Sequence, residues 1–145
     1  MKTVLLVNGQ YLPGYKGGGP TQSCKNMVEN LNSFFVFKVL CADHDYKENH
    51  PYDNIHIDDW NKVGDANVYY MSSKMESLKG FCKILNETEY DVIYLNGFFS
   101  QIYTIRPLLL RRLGKLKNTK IILTPRGDFT GGLENKKINK TRNFF

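Results

Sequence analysis

The chain begins with an apolar stretch, TVLLVN (residues 3–8), that leads through a loop to GGGP (residues 17–20). A run of Val, Leu and Thr without polar alternation is typical of a strand buried on both faces, and such strands belong to parallel sheets. Pro20 suits the first turn of a helix, because its missing N–H would have no partner there. Apolar residues at Met27, Val28 and Leu31 predict that this helix covers residues 20–31.

The rest of the chain alternates between strand and helix patterns. Further strands are predicted at residues 35–41, 90–96 and 120–124, with shorter candidates at 54–58 and 66–71. Helices are predicted at residues 73–87, at 100–113 and, within a lysine-rich segment, at 133–145. Ser73 and Glu76 form a candidate capping box for the first of these helices, and Pro107 should kink or delay the second. The alternation predicts an α/β fold: a doubly wound, mostly parallel, Rossmann-like sheet with helices on both faces.

Length and composition indicate one globular domain. The chain has 145 residues, of which 41% are hydrophobic and 23% charged, so disordered, collagen-like and coiled-coil classes are excluded. No apolar run has the length of a signal-peptide core or a membrane span, which makes a cytoplasmic location the expectation. Cys24, Cys41 and Cys82 have no CxxC spacing, and no partner cysteine lies near the histidines. We therefore expect neither disulfides nor a metal site.

Positive charge is concentrated in the last third of the chain. The net charge is +6, but it is unevenly distributed. Residues 1–105 contain 9 basic and 12 acidic side chains, whereas residues 106–145 contain 11 basic and 2 acidic side chains. This skew is compatible with a nucleic acid, an anionic lipid or a phosphorylated substrate as partner. An ordinary solvated face explains it equally well.

Three unusual segments follow predicted strands and are the candidate binding residues. They are Gly17, Gly18 and Gly19 after the first strand, Asn96 with Gly97 after the strand at 90–96, and Arg126 with Gly127 after the strand at 120–124. In an open parallel sheet, ligands bind outside the carboxyl ends of the strands, so the three segments should line one crevice.

Each candidate also has a purely structural explanation. The glycines could let backbone N–H groups approach a phosphate or sugar oxygen at the start of the helix, or could form a flexible loop. Arg126 could make a two-pronged contact with a phosphate or carboxylate, or be an exposed structural arginine. Asn96 could bind a sugar hydroxyl, or hold the turn at Gly97. No catalytic residue can be named, because the polar residues form neither a Ser-His-Asp arrangement nor paired carboxylates.

Three segments together resemble a known family. They are VLLVN (residues 4–8) with the glycine loop, SxxNMVxxL (residues 23–31), and LTPRGDF (residues 123–129) with Leu133 and the lysines that follow it. Nearly from end to end, the chain resembles the N-terminal domain of the group 1 (family 4) retaining glycosyltransferases. These are enzymes of the GT-B type, which contain two Rossmann-like domains.

This resemblance implies a hexosyltransferase-like enzyme of bacterial surface polysaccharide biosynthesis. Such an enzyme transfers a sugar from a nucleotide-sugar donor to a lipid-linked or polysaccharide acceptor, without a metal or other cofactor. The N-terminal domain holds the acceptor, and the C-terminal domain holds the donor through two glutamates with seven residues between them. No two glutamates here are eight apart. Residues 1–145 are therefore expected to form the acceptor-side domain, without the donor domain, and to be inactive alone.

The resemblance also implies roles for the candidate residues. Gly18 and Gly19 would face the donor phosphates or the acceptor, and Arg126 would lie beside the transferred sugar or the acceptor. Many relatives have a histidine near the end of the last strand, where Arg126 or its neighbours stand in this chain. A general-base role therefore cannot be carried over.

Because the implied acceptors are membrane-held, the resemblance favours an anionic membrane surface as partner and a peripheral location on the inner face of the membrane. Two basic triplets at helical spacing could provide the contact: Arg111, Arg112 and Lys115, and Lys136, Lys137 and Lys140. The alternative function is a non-enzymatic α/β module that binds anionic membrane or nucleic acid. No basic patch is interleaved with aromatic residues, so nucleic acid is not an expected partner.

Overall fold

The computed structural model describes residues 1–126, and within them six strands form one mostly parallel sheet with helices packed against it. The predicted α/β class is confirmed. Gly127, the lysines at 136, 137 and 140, and the helix predicted at 133–145 lie outside the described residues. The elements in chain order are β1 (Lys2–Val7), α1 (Gly19–Leu31), β2 (Phe35–Ala42), β3 (Trp60–Val63), β4 (Ala66–Met71), α2 (Leu78–Glu87), β5 (Val92–Asn96), a π-helical turn (Gln101–Ile105), α3 (Arg106–Arg112) and β6 (Lys120–Thr124).

The strand order is β3-β4-β2-β1-β5-β6, and of these six described strands β3 alone runs antiparallel to its neighbour. From β1, the chain builds the sheet outward through β2 and β4 on one side. It then returns to place β5 on the other side of β1, with β6 beyond it. The boundary between β1 and β5 is therefore the point at which the strand order reverses.

Alternate residues of the strands supply two separate apolar clusters, one on each face of the sheet. On one face, Leu6 and Val39 pack with Cys24 and Val28 of α1. On the other face lie Leu5, Leu40 and Met71, together with Phe81 and Leu85 of α2 and Leu110 of α3. Burying a side chain of this size contributes on the order of 2 kcal/mol, so β1 and β2 are anchored from both sides.

The strand at the β3 edge of the sheet differs from the prediction. Residues 54–58 form turns rather than a strand, and the edge strand is β3, which begins at Trp60. Asn54 and Asp58 have φ values of 58° and 56°, in the left-handed region that a strand excludes. The Asn61 side chain also binds the backbone of His56, with its Oδ1 accepting from the His56 N–H at 2.8 Å. Local side-chain bonding therefore replaces strand pairing here.

The start of α2 also differs from the prediction. The helix begins at Leu78 with Ser77 as its N-cap, and the Ser77 hydroxyl oxygen accepts from the Gly80 N–H at 3.1 Å. The predicted capping box of Ser73 and Glu76 is wrong, because the buried Glu76 carboxylate instead accepts a hydrogen bond from the Tyr103 hydroxyl. The helix after β5 follows the prediction more closely: Ser100 caps a π-helical turn, and the α-helical part starts at Arg106, the residue before Pro107.

Two of the three cysteines are buried thiols of the core. Burial raises the pKa of Cys24 to about 12, although the nearby Arg126 charge opposes the shift, and burial raises the pKa of Cys41 well above its usual range. Cys82 is partly exposed on α2. Among residues 1–126, no helix combines the length and apolar composition that a bilayer crossing needs.

Candidate functional site

The switch-point crevice is the space above the carboxyl ends of β1, β5 and β6. The three strands are adjacent, and the chain leaves β1 and β5 toward opposite sides of the sheet. Connections that diverge in this way leave an opening at the sheet edge, where open α/β sheets bind their ligands. The candidate residues lie at this edge, as predicted from the sequence: Gly17, Gly18 and Arg126 on loops, Gly19 at the start of α1 and Asn96 at the end of β5.

The glycine loop ends at the start of α1, and each of its glycines has a different environment. A Cβ at Gly17 would come within 2.5 Å of the Thr21 hydroxyl oxygen, so a larger residue does not fit there. Gly18 is the N-cap and has a φ of 67°, which favours glycine. At both Gly18 and Gly19 a Cβ would meet no other atom of the described residues within 4 Å. The loop is therefore tightly packed at its first glycine and open at the other two.

The first turn of α1 has donors to offer to that open space. Among residues 1–126, no side chain caps the helix. Pro20 has no N–H, and the Gln22 N–H donates to the Gly18 carbonyl at 3.2 Å, so the donors without an intrahelical acceptor are the N–H groups of Gly19 and Thr21. The Thr21 side chain lies just below, only 4% exposed, and its hydroxyl oxygen has no hydrogen-bond partner in the described part of the chain. Unpaired donors at the positive end of a helix dipole are suited to an anion or a sugar oxygen.

A pair of buried asparagines joins β1 to β5 beneath the crevice. Asn8 follows β1 and Asn96 ends β5, and the two are 4% and 5% exposed. The Asn96 Nδ2 donates to Asn8 Oδ1 at 3.1 Å, and the Asn8 Nδ2 donates to the Gln10 carbonyl at 2.6 Å. Asn96 therefore acts across the sheet. The turn at Gly97 is held separately, by the Gly97 N–H donating to the Thr124 carbonyl at 2.9 Å.

Arg126 connects this asparagine pair to two further elements. Its Nε donates to Asn96 Oδ1, its Nη1 to the Ser23 hydroxyl of α1 at 2.8 Å, and its Nη2 to the Tyr94 hydroxyl at 3.0 Å. Its backbone φ is 51°, outside the usual region for a side-chain residue. These contacts use three of the five guanidinium donors. Arg126 thus has the structural role that the sequence left open, and its other two donors have no partner among residues 1–126.

A cavity of about 470 Å³ lies beside the crevice, between the loops that follow β1 and β2. Asp45 holds the two loops together, because its carboxylate accepts from the N–H groups of Tyr15, Lys16 and Tyr46 at 3.1, 3.2 and 2.8 Å. Burial alone would raise the pKa of Asp45, but these backbone donors together lower it. The carboxylate is therefore charged at neutral pH and fixes the cavity wall.

The wall of this cavity mixes ring faces with hydrogen-bonding groups. Tyr15, which is 79% exposed, Pro51 and Tyr52 supply the rings. Lys16 and Glu48 form an ion pair in which a direct hydrogen bond from Lys16 lowers the pKa of Glu48. Such a combination suits a polyhydroxylated ring, whose faces are apolar and whose hydroxyls both donate and accept.

Sequence reasoning missed several members of the site. Asn8, Ser23 and Tyr94 are partners in the Arg126 network, and Asp45 organises the cavity. One signal was present: Asn-Gly occurs at the ends of two apolar strand patterns, at 8–9 and at 96–97. Within residues 1–126, no group of three or more His, Cys, Asp or Glu side chains is placed to hold a metal ion.

Comparisons with protein-family models, curated proteins and solved structures find no match for this chain.

Proposed function

We propose that this chain is the acceptor-side domain of a retaining glycosyltransferase of the GT-B type, doubly wound and Rossmann-like. The observation that best supports the proposal is the convergence of Gly18, Gly19, Asn96 and Arg126 at the switch point of the sheet, where the described part of the chain leaves the two glycines uncovered. The family resemblance names the same residues. The complete enzyme would act in the cytoplasm, on lipid-linked or polysaccharide acceptors of bacterial surface glycan synthesis.

The described residues would bind and orient substrates. The first turn of α1 would donate hydrogen bonds to a phosphate or sugar oxygen above Gly18 and Gly19, and the two remaining donors of Arg126 would bind the same ligand. The acceptor saccharide would occupy the cavity, with a ring face on Tyr15 and its hydroxyls near Lys16 and Glu48. Holding the acceptor in one orientation contributes to rate by positioning. The donor nucleotide would be bound by a second domain, and no residue here is assigned a catalytic role.

We expect the 145-residue chain alone to transfer no sugar from any nucleotide donor, because it lacks the paired glutamates that bind the donor in the family it resembles. The measurement is product formation from radiolabelled UDP-glucose and UDP-galactose with disaccharide acceptors. Multiple turnovers by the purified chain would contradict the division of labour proposed here.

Saccharide binding is the direct test of the proposal. We expect maltose, lactose or N,N′-diacetylchitobiose to shift the amide signals of Tyr15, Lys16 and Asp45 in nitrogen-15 NMR spectra of the chain. Replacing Tyr15 by alanine should weaken this binding about fivefold, which corresponds to about 1 kcal/mol. Phe34 is the matched control, because it is an aromatic residue of similar exposure, 65%, and it lies just before the amino end of β2, away from the carboxyl ends of the strands.

Two results would count against the proposal. One is the absence of shifts with all three disaccharides at millimolar concentration. The other is equal weakening by Tyr15→Ala and Phe34→Ala. Shifts caused by duplex DNA at physiological salt, and not by the uncharged disaccharides, would instead favour a non-enzymatic module that binds nucleic acid.

A further inference from the structure

The charges around the cavity between the loops after β1 and β2 indicate which sugars it would accept. Four charged side chains line it: Lys16, Asp45, Glu48 and Asp53. Three of them are carboxylates and one is an ammonium group, so two negative charges remain uncompensated. Although the whole chain is basic, with a net charge of +6, this cavity is therefore negatively charged.

The basic groups of the cavity wall are both beside one carboxylate. Lys16 forms an ion pair with Glu48, and the direct hydrogen bond from Lys16 lowers the pKa of Glu48. The His50 Nδ1 lies 3.7 Å from the other oxygen of the same carboxylate. Burial opposes the ionisation of Asp45, but backbone N–H donors together lower its pKa, so it keeps its charge without a cationic partner.

Asp53 and Tyr15 are the two groups of the wall that can attract a cation from solvent. Asp53 is exposed, and within residues 1–126 it takes part in no ion pair. Tyr15 is 79% exposed, and the face of its ring carries partial negative charge. The Lys16 Nζ approaches the centre of that ring only to 6.0 Å, the outer limit of a cation–π contact, so the ring face remains open.

We propose that the cavity selects an amino sugar with a free, protonated amine and disfavours uronic acids and other anionic sugars. A face of the sugar ring would lie on Tyr15, and its ammonium group would contact Asp53. Asp45 and Glu48 would add the longer-range attraction of the cavity for positive charge. The inference rests on the proposed function, because it names the class of acceptor for the same cavity.

The crevice beside the cavity has the opposite charge. Arg126 and the positive end of the α1 dipole lie there, and Gly17 of the glycine loop directly follows Lys16 of the cavity wall. An acceptor that carries both a phosphate and an amine would be attracted at both ends. It would be held in one orientation, with the phosphate toward the glycines and the amine in the cavity.

Four disaccharides that share one β-1,4-linked glucose skeleton test the proposal. They are chitobiose, which has free amines, N,N′-diacetylchitobiose, cellobiose, and cellobiouronic acid, which has a carboxylate. Dissociation constants come from the shifts of the Tyr15, Lys16 and Asp45 amide signals at about pH 6, where amines are protonated. Chitobiose should bind at least about tenfold more tightly than cellobiose, cellobiouronic acid at least about threefold more weakly, and the diacetylated sugar within about threefold of cellobiose.

A substitution that removes one charge and keeps the side-chain shape identifies the source of the preference. Asp53→Asn should reduce the preference for chitobiose over cellobiose to about threefold or less, and should leave cellobiose binding within about twofold of the parent value. The matched control is Glu89→Gln, which removes the same charge from an exposed side chain before the amino end of β5 and should leave the preference unchanged. The preference should also decline between about 0.01 and 1 M salt, because the screening length falls about tenfold.

Several results would overturn the proposal. Equal binding of chitobiose and cellobiose would remove the charge preference and leave saccharide binding, and with it the proposed function, intact. An equal loss of preference in Asp53→Asn and Glu89→Gln would show that the net charge of the chain, and not the cavity, attracts the amine. If 1,4-diaminobutane, which has no sugar ring, bound as tightly as chitobiose, the cavity would be a cation site, and the proposed function would lose its support as well. Absence of binding by all four disaccharides would contradict both.

Discussion

Replacing Gly80 by alanine is expected to lower the free energy of unfolding by about 3 kcal/mol or more. In most helices this substitution stabilises by up to about 1 kcal/mol. Here a Cβ would overlap the backbone carbonyl of Met75, which cannot move aside as a flexible side chain would. The overlap would force α2 away from the turn before it, and Phe81, the next residue, is fully buried in the core. Urea denaturation followed by circular dichroism measures the effect.

Gly19→Ala is the matched control. Gly19 is also in the first turn of a helix, but no other atom of residues 1–126 lies within 4 Å of its Cβ position, and its φ is not in the left-handed region. This substitution should leave stability unchanged or raise it by less than about 1 kcal/mol. If both substitutions had the same effect, the close approach of Gly80 to Met75 would not limit the size of the side chain there.

Replacing Asn96 by alanine should lower the free energy of unfolding by about 2 kcal/mol, because it removes one member of a chain of buried hydrogen bonds. The Asn8 Oδ1 and the Arg126 Nε–H would both lose their partner, and an unsatisfied buried polar group costs more than the bond itself contributes. Thermal and urea unfolding measure the loss.

Asn118→Ala provides the comparison, since Asn118 also accepts from an arginine, Arg111, but at an exposed site. Its loss should cost less than about 1 kcal/mol. A double-mutant cycle of Asn96→Ala and Arg126→Ala should give a coupling of at least about 1 kcal/mol. Additive effects of the two substitutions would show that their contact contributes nothing to stability.

Hydrophobic periodicity was sufficient to predict most of the sheet. The strands at 35–41, 66–71 and 120–124 were placed within a residue of β2, β4 and β6, because strands of a parallel sheet are continuous apolar runs. No residue of β6 is buried within the described chain, so its apolar run did not predict its burial. Periodicity failed where polar side chains bond locally or across the fold. Asn61 binds the backbone of His56 and holds residues 54–58 in turns. The sequence pattern assigns the Glu76 carboxylate to a helix cap, but this carboxylate accepts a hydrogen bond from the Tyr103 hydroxyl instead.

The strand-end rule placed Gly18, Asn96 and Arg126 at one edge of the sheet, because it needs only the positions of the strands along the chain. It could not provide their partners. Which side chains meet Arg126 depends on β5 lying between β1 and β6, and strand order is not encoded in local periodicity. The cavity was missed for a related reason, since the carboxylate of Asp45 reaches backbone groups about thirty residues earlier.

The contacts of Arg126 determine at which stage of protein synthesis the crevice can be completed. Arg126 binds Ser23, which lies 103 residues earlier, as well as Tyr94 and Asn96. While the ribosome is still synthesising β5, strands β1, β2 and β4 can already pair, but Ser23 and Asn96 have no guanidinium to bind. Contacts that close such long loops form late in folding, because the entropy of loop closure is lost before the contact contributes any stability. The floor of the crevice is therefore completed only once residue 126 has left the exit tunnel, and a nascent chain released earlier would present the glycine loop without its cation.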